Sequence, residues 1–235
     1  MQPTIAGGIR VCMGEKVKLK ATGGHEFDAY VARPSRAPIA GLIVLQEAFG
    51  VNRHIRSVTD EYARDGFLAV APALYDRLEQ GIELGYEGAE MERGLTLARQ
   101  SNHDDVIKDI AAAIDYARRQ TGKKTGVIGY CFGGTMAWLS AARLRPDAAV
   151  GYYGGQIPHY AAETPSCPVM LHFGKLDQHI PKSEIDKLQA AHPGISIYWY
   201  DAGHGFNTSD RSSYNPDAAK LARRRSLEFL KKNLT

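Results

Sequence analysis

The sequence has few cysteines, no long apolar run and no block of basic residues. Its three cysteines, Cys12, Cys131 and Cys167, make neither a disulfide framework nor paired metal-ligand spacing. No stretch approaches the roughly 18 apolar residues of a membrane-spanning helix. The amino terminus lacks the charged segment and apolar run of a secretory signal. A net charge of +3 without a long Lys/Arg run offers nucleic acid no electrostatic footprint.

These absences narrow the class of protein. We expect a cytoplasmic protein with no membrane or nucleic-acid partner, no metal and no organic cofactor, acting as a monomer or a small homo-oligomer. A free cysteine stays reduced in that compartment. With 235 residues, of which 44% are hydrophobic, the chain can bury a substantial core without disulfides. No internal repeat or low-complexity linker divides it, so we expect a single domain over residues 1–235.

The order of apolar segments predicts the fold. Residues 15–33 alternate apolar and polar side chains and turn at Gly23-Gly24, which is typical of an antiparallel hairpin. Unbroken apolar runs, expected for strands covered on both faces, follow at 41–45, 67–71, 126–130, 148–153, 169–173 and 195–200. Segments with helical spacing lie at 57–64, 104–119, 134–143, 182–191 and 216–232. This alternation predicts an α/β fold with a mostly parallel central sheet, flanking helices and the hairpin at one edge.

Residues 76–102 form the least regular part of the sequence. Four glycines stand there among charged side chains and Tyr86. Two interpretations are equally open. The segment is either an excursion over the functional edge of the sheet or a solvated loop.

A nucleophile motif lies where the third of these apolar runs would pass into a helix. Gly129-Tyr130-Cys131-Phe132-Gly133 has the Gly-x-nucleophile-x-Gly pattern, with cysteine in the usual place of serine. The two glycines leave room for a sharp strand-to-helix turn. Backbone N–H groups and the helix dipole at such a turn favour a thiolate and a developing oxyanion. The alternative is a small apolar cysteine buried beside packing glycines.

Two later strand ends carry the partners that a cysteine nucleophile needs. Asp177 follows the apolar run 169–173, and His204 follows the run that ends at Tyr200. Ligands of α/β sheets bind at the carboxyl ends of strands, so the three side chains are expected at one edge. The order nucleophile, acid, histidine is that of the α/β-hydrolase triad. Cys131 would attack, His204 would transfer the proton, and Asp177 would orient the imidazole.

Each partner also has a simpler interpretation. Asp177 could be a helix N-cap, because a helical segment follows it. His204 could be a loop histidine whose neighbouring glycines serve only the turn. His179 competes as a base but lies too near Asp177 in sequence for the usual geometry. His172 stands within an apolar run and is expected to be a hydrogen-bonded core histidine.

The segment after the first apolar run suggests an oxyanion hole. Gln46-Glu47-Ala48-Phe49-Gly50 follows residues 41–45, where the oxyanion-hole loop of such an enzyme lies. The N–H groups of Ala48 and Phe132 would form the hole. Glu47 is an acid directly after a buried strand. Its alternative is a rim carboxylate paired with Arg53 or Arg56.

Taken together, these motifs resemble the dienelactone hydrolase (carboxymethylenebutenolidase) family. The Gln46–Gly50 segment, the Gly129–Gly134 segment, Asp177 and His204-Gly205-Phe206 carry the resemblance, which covers nearly the whole chain. It implies an α/β-hydrolase domain with a Cys-His-Asp triad and an acyl-enzyme. It also implies that Glu47 helps to deprotonate the thiol when substrate binds, and that the substrate is an unsaturated lactone opened to maleylacetate.

One position departs from the family pattern. Members that open dienelactone hold the substrate carboxylate with two arginines, and Arg77 matches the first. The second should follow His204 by four residues, but Thr208 stands there and Arg211 is out of register. Threonine cannot replace a charge-assisted clamp. We expect Arg77 and Tyr86 to shape the acid-recognising side of the pocket.

The expected activity is therefore hydrolysis of a small lactone or carboxylic ester, with the substrate left open. A carboxylesterase or thioesterase for neutral esters on the same fold is the first alternative, and Thr208 favours it. A non-catalytic relative that senses redox state through oxidation of Cys131 is the second.

Overall fold

A computed structural model describes residues 14–235, and its centre is one eight-stranded sheet. Cys12 and the expected start of the domain at residue 1 lie outside the described residues. The strands are β1 (Glu15–Lys20), β2 (Glu26–Ala32), β3 (Ala40–Leu45), β4 (Phe67–Pro72), β5 (Thr125–Tyr130), β6 (Ala148–Tyr152), β7 (Val169–Gly174) and β8 (Ser196–Tyr200).

The sheet has the order β1-β2-β4-β3-β5-β6-β7-β8. Strands β1, β2 and β4 pair antiparallel, and every pairing from β4 across to β8 is parallel. The predicted mostly parallel sheet with an antiparallel hairpin at one edge is confirmed. Since parallel strands end at the same edge, the residues that follow β3, β5, β7 and β8 meet there.

In residues 14–235, six helices and one short 3₁₀ turn cover the sheet. They are α1 (Arg53–Arg64), α2 (Gly88–Gln100), α3 (His103–Thr121), α4 (Phe132–Arg143), the 3₁₀ turn (Ile157–Tyr160), α5 (Lys182–Ala191) and α6 (Pro216–Leu234). Helix α3 packs against α4, whereas Arg223 joins α6 to α1 through Glu61 and Asp65. Strands β3, β4, β5, β6 and β7 are buried at every residue, as strands covered on both faces must be.

Three helices begin earlier than their apolar spacing predicted, and side-chain caps define the start of two of them. Asn52 and Asn102 accept hydrogen bonds from the N–H groups of Ile55 and Asp105, at 3.2 and 3.1 Å, so α1 and α3 start at Arg53 and His103. Helix α4 begins at Phe132, directly after Cys131. None of the helices in residues 14–235 combines the length and apolar character that crossing a membrane requires.

Helix α2 was missed in the sequence, where residues 76–102 were expected to be irregular. Only Gly94 and Leu97 of this helix are buried, and its N-terminal residue Glu87 makes no side-chain cap. A helix that buries so little has no clear amphipathic pattern. Its position bears out the first of the two interpretations, because α2 lies over the edge of the sheet where the strands end.

Candidate active site

Cys131 lies in the sharp turn between β5 and α4. Its backbone angles are φ 52° and ψ −112°, a region that residues with a side chain rarely adopt. Its N–H donates to the Tyr152 carbonyl at 3.0 Å, which fixes the turn against β6. Such strain persists only where the surrounding structure enforces it, and it is typical of functional sites.

The glycines around Cys131 are required by close backbone contacts. A Cβ atom on Gly129 would lie 1.9 Å from the Gly133 carbonyl oxygen. One on Gly133 would lie 2.5 Å from the carbonyl oxygens of Leu45 and Gln46, and one on Gly134 2.4 Å from that of Tyr152. The motif therefore closes the turn and also lets α4 begin directly against the ends of β3 and β6.

The structure brings Cys131, His204 and Asp177 into one hydrogen-bonded chain. His204 Nε2 lies 3.2 Å from Cys131 Sγ, and His204 Nδ1 lies 2.7 Å from Asp177 Oδ2. The other Asp177 oxygen accepts the backbone N–H of His179 at 2.9 Å. Asp177 is not a helix cap, because α5 starts after Pro181. The predicted order of acid, histidine and nucleophile is realised in space.

Electrostatics in this chain favour a charged imidazole. Burial alone would lower the pKa of His204, but the Cys131 sulfur and the Asp177 carboxylate outweigh it and raise that pKa to about 10. Burial likewise opposes ionisation of Asp177, and the hydrogen bond and charge of His204 still lower its pKa below the ordinary value. The Asp177 carboxylate and the neighbouring Cys131 sulfur thus favour the protonated imidazole of His204.

Two backbone N–H groups beside the sulfur are free to receive an oxyanion. Ala48 and Phe132 both line the cavity that contains Cys131. Neither N–H donates a hydrogen bond to an acceptor in the part of the chain that the structure describes. The Gly133 N–H donates to the Gln46 carbonyl at 3.0 Å and so holds the two segments together. The arrangement is suited to stabilising a tetrahedral oxyanion.

Glu47 is fully buried behind the cavity wall, and its two oxygens accept no hydrogen bond from residues 14–235. The nearest cation is Arg211, whose Nη1 lies 3.7 Å from Oε1. The alternative of a rim carboxylate is excluded, because Arg53 pairs with Asp210 and Arg56 with Glu83. A buried carboxylate with one long ionic contact is costly, and such groups mark functional sites.

Arg211 enters the cleft although its sequence position is out of register. The turn closed by the Arg211 N–H to the Thr208 carbonyl, at 3.1 Å, brings its side chain back across Gly205. A Cβ atom on Gly205 would lie 2.7 Å from Arg211 Nη1, and Gly205 has φ +75°. The guanidinium lies over the rings of Phe49 and Tyr86, at 5.7 and 5.9 Å. Thr208 is fully buried and does not line the cleft.

Sequence reasoning missed Arg211 because it counted positions from His204. The signal that could have found it is the turn chemistry of Thr208-Ser209-Asp210, which predicts a reversal of the chain after the histidine.

Arg77 and Tyr86, the expected recognition residues, lie in different places. Arg77 donates two hydrogen bonds of 2.8 Å to the buried carboxylate of Asp109 on α3, and it does not line the cleft. Tyr86 does line the cleft, and its hydroxyl lies 3.1 Å from Asn52 Nδ2. Burial and the nearby Glu47 charge raise the pKa of Tyr86, which keeps it a neutral hydroxyl.

The competing histidines take other roles. His172 is fully buried, and its ring nitrogens contact Tyr200 Oη at 2.8 Å and Ser226 Oγ at 2.9 Å. Burial lowers the pKa of His172 to about 3, as expected for a neutral core histidine. His179 lies edge-on to His204, with 5.7 Å between ring centroids. Within the described part of the chain, no three His, Cys, Asp or Glu side chains are grouped to hold a metal ion.

The cleft over the sulfur has two flanks that meet at His204. The apolar flank has a volume of about 450 Å³ and contains Cys131, both candidate oxyanion N–H groups and the side chains of Phe49, Met91, Leu95, Ala98, Arg99, Phe132, Thr135 and Gln156. The polar flank, about 510 Å³, contains Asp177 and the residues Tyr86, Glu87, Gly88, Leu176, Gln178, Ser212 and Ser213. Met91, His179, His204 and Arg211 line both, so the two flanks are continuous.

Known proteins are similar to this chain in both sequence and fold. The model of the dienelactone hydrolase family matches residues 27–234. A carboxymethylenebutenolidase of Pseudomonas putida is 35% identical over 225 residues, which cover 92% of this chain and 95% of that protein. Carboxymethylenebutenolidase 1 of Cupriavidus pinatubonensis is 30% identical, over 93% of this chain and 97% of its own.

Solved structures agree. A proposed dienelactone hydrolase of Klebsiella pneumoniae is 28% identical, with a TM-score of 0.82 over 92% of this chain and 96% of that one. An esterase of Pyrococcus furiosus, 15% identical with a TM-score of 0.69 over 99% of both chains, shares the α/β-hydrolase fold. The matches span nearly the full length of the chain. They include the Gln46–Gly50 segment, Asp177, His204 and the Gly129–Gly133 turn that contains Cys131, which we call the elbow. The chain therefore belongs to the dienelactone hydrolase family and is a hydrolase of carboxylic esters or lactones.

Proposed function

We propose that this enzyme hydrolyses a small lactone or carboxylic ester through an acyl-enzyme on Cys131. The observation that carries the proposal is the hydrogen-bonded chain from Cys131 Sγ through His204 to Asp177. Beside it, the free backbone N–H groups of Ala48 and Phe132 line the cavity that contains the sulfur. A nucleophile, a base oriented by an acid and an oxyanion site are the parts that acyl transfer needs.

The reaction proceeds in two halves. Cys131 transfers its thiol proton to His204 Nε2, and Sγ attacks the carbonyl carbon. The carbonyl oxygen becomes an oxyanion that accepts hydrogen bonds from the Ala48 and Phe132 N–H groups. The carbon–oxygen bond breaks, and the leaving oxygen takes the proton from His204 Nε2. The neutral imidazole then takes a proton from water, which attacks the thioester carbonyl. When that second intermediate collapses, the carboxylic acid leaves and the Cys131–His204 pair regains its proton.

Glu47 is proposed to assist activation of the thiol. Before substrate binds, Glu47 lies beside Arg211 in a buried site, where neither carboxylate oxygen has a hydrogen bond within residues 14–235. A substrate that engages Arg211 removes that one ionic contact, and the carboxylate then turns towards Cys131. Burying the Glu47 carboxylate without hydrogen-bond partners costs free energy, and the position turned towards Cys131 is favourable because it lowers this cost.

The substrate class is supported by the relatives and by the cations near the sulfur. The carboxymethylenebutenolidases at 30–35% identity support a lactone substrate. Arg211 is the cation that lines both flanks, so a substrate carboxylate is proposed to lie against it. Arg77 is engaged by Asp109, and Thr208 is buried and lines neither flank, so a clamp of two arginines is not assembled from these positions.

Replacing the nucleophile tests the mechanism. Cys131→Ala is expected to lose at least about 10³-fold in kcat for activated esters and small lactones. Wild-type protein mixed with an activated ester and quenched early should gain the mass of one acyl group, on the peptide that contains Cys131. The matched control is Cys167→Ala, which removes the other cysteine of the described residues and should change neither reading. Wild-type turnover by Cys131→Ala contradicts the proposal.

Replacing Glu47 tests its activating role separately. Glu47→Gln preserves shape and removes the charge, so it is expected to change the pH dependence of both turnover and thiol alkylation. Both are measured on the same protein with and without a substrate analogue that carries a carboxylate. Unchanged pH profiles show that Glu47 has no part in activation.

A carboxylesterase or thioesterase for neutral esters is the second candidate. It is favoured by the apolar flank of the cleft and by the single cation that reaches both flanks. A panel of esters and lactones with and without a free carboxylate separates the two, because only the lactone proposal expects the carboxylate to raise kcat/KM. Reversible oxidation of Cys131 without any ester turnover would instead indicate a redox sensor.

A further inference from the structure

Helix α2 presents a stripe of apolar side chains to the nucleophile. Met91, Leu95 and Ala98, at positions i, i+4 and i+7, share one helix face and line the apolar flank. Phe49 and Phe132 line the same cavity. Leu95 is 40% exposed, whereas most large apolar side chains of the described residues are buried. It lines the open cavity. A surface of this kind fits an apolar group of the substrate.

The position of this stripe relative to the oxyanion hole is fixed by a glycine. Gly94 is buried in α2, and a Cβ atom there would lie 2.4 Å from the Ala48 carbonyl oxygen and 2.9 Å from the Phe49 ring. The helix backbone therefore rests directly on the segment that supplies one oxyanion N–H. A carbonyl held in that hole has the apolar stripe beside it.

The chemistry of the triad assigns the two flanks to different parts of an ester. The carbonyl oxygen points to the Ala48 and Phe132 N–H groups, which belong to the apolar flank. The leaving oxygen must come within reach of the proton on His204, which lines both flanks and whose partner Asp177 lies on the polar flank. The acyl group and the alcohol group extend in opposite directions from the carbonyl carbon. The acyl group thus meets α2, and the alcohol group meets Gln178, Ser212 and Ser213.

We propose that the cleft selects esters with an apolar acyl group, seated on Met91, Leu95 and Ala98, and a polar alcohol group on the far side of His204. This inference rests on the proposed acyl-enzyme mechanism and goes beyond it by naming the two halves of the substrate. The step is the one given above. The Cys131 Sγ–acyl bond forms, the acyl–oxygen bond breaks, and the alcohol leaves with the proton of His204.

Two matched ester series test the assignment. In the first, the alcohol is constant (p-nitrophenol) and the acyl group lengthens from acetyl to butyryl, hexanoyl and octanoyl. In the second, the acyl group is constant (acetyl) and the alkyl alcohol lengthens in the same steps. We expect kcat/KM to rise about two- to fourfold per added methylene in the acyl series until the flank is filled. We expect little or no rise in the alcohol series.

Three tryptophan substitutions link the series to the flanks. Leu95→Trp, on α2, is expected to lower the ratio of octanoyl to acetyl kcat/KM at least about tenfold, by filling the acyl site. Leu176→Trp, on the polar flank, should change the alcohol series and leave the slope of the acyl series unaltered. Leu78→Trp replaces a leucine exposed to a similar degree (45%) that lines neither flank, so both series should match wild type.

The failure of this inference differs from the failure of the mechanism. Equal kcat/KM along the acyl series, with activity still lost in Cys131→Ala, overturns the assignment of the apolar flank and leaves the mechanism standing. A slope that appears in the alcohol series and is abolished by Leu95→Trp overturns the orientation. Ester turnover that persists in Cys131→Ala overturns the mechanism, and the inference with it.

Discussion

The two walls of the cleft are built differently. Cys131, Asp177 and His204 follow the ends of the parallel strands β5, β7 and β8, and close backbone contacts at Gly129, Gly133 and Gly134 fix the turn at Cys131. The opposite wall consists of α2, with two buried residues, and of residues 205–213, which contain no helix or strand. We call these the strand-end wall and the recognition wall.

The difference shows which part of the enzyme is constrained. In the proposed mechanism the strand-end wall holds the reacting atoms, whose geometry must be precise, and this wall is placed on the sheet. The recognition wall must fit one substrate among many, so it is placed on elements that tolerate change. Substitutions in the first should therefore destroy rate or fold, and those in the second should redirect specificity.

The largest effect is expected from Asp177→Asn in the strand-end wall. The substitution removes the negative charge that helps to raise the pKa of His204 to about 10. The proton of the Cys131–His204 pair is then lost at a lower pH, so the alkaline limb of the kcat/KM profile shifts to lower pH. We expect kcat to fall about 10³- to 10⁴-fold.

The same shift has a consequence for stability. A pKa raised from 6.5 to about 10 on folding contributes stability that is complete below pH 6.5 and is lost as the pH rises to about 10. The difference in unfolding free energy between wild type and Asp177→Asn should narrow over that window. Asp201→Asn, at an exposed carboxylate after β8, is the control and should change neither profile. A pH profile that keeps its alkaline limb in Asp177→Asn contradicts the role given to Asp177.

The elbow itself is expected to show the next largest effect. Gly129→Ala puts a methyl group within 1.9 Å of a backbone oxygen, so the turn must open. We expect a loss of about 3 kcal/mol or more in unfolding free energy, or a protein that does not fold. Gly194→Ala has no atom within 4 Å of the added methyl group and should cost less than about 0.5 kcal/mol. Urea unfolding measures both, and similar values for the two would contradict the account.

The sequence predicted the strand-end wall because local rules determine it. Apolar runs identified β3, β5, β7 and β8, and the candidate site residues lie within four positions after the ends of these strands: Glu47, Cys131, Asp177 and His204. The doubly covered strands and the elbow glycines follow from sterics and burial that a single sequence displays.

The recognition wall could not be predicted in the same way. Helix α2 exposes its apolar stripe to a cavity, so its periodicity does not stand out from a loop. Arg211 reaches the cleft through a turn and a positive φ at Gly205, which position counting ignores. Arg77 is drawn away by Asp109, which lies 32 residues further along the chain. Each of these depends on a tertiary contact.

Substitution of Arg77 tests whether this residue has a structural role or a role in substrate recognition. Arg77→Met leaves the buried Asp109 carboxylate without its bidentate partner, and we expect it to cost about 3 kcal/mol of unfolding free energy. The ratio of kcat/KM between carboxylate-bearing and neutral esters should be unchanged, because Arg77 does not line the cleft. Urea unfolding and the substrate panel measure the two effects. A tenfold fall in that ratio would restore Arg77 as a recognition residue.

Arg211 should show the smallest effect, and one confined to specificity. Its guanidinium faces both flanks from over Phe49 and Tyr86, so a substrate carboxylate beside it would gain a charge-assisted hydrogen bond. Arg211→Met should lower kcat/KM for carboxylate-bearing esters about tenfold more than for neutral esters of the same length. Comparing the two ester classes in one protein cancels any change in the position of Glu47, which affects both. Arg53→Met, at an exposed arginine that lines neither flank, should leave the ratio unchanged. If Arg211→Met slows both classes equally, Arg211 serves only to hold Glu47, and the recognition wall selects substrates by its apolar stripe alone.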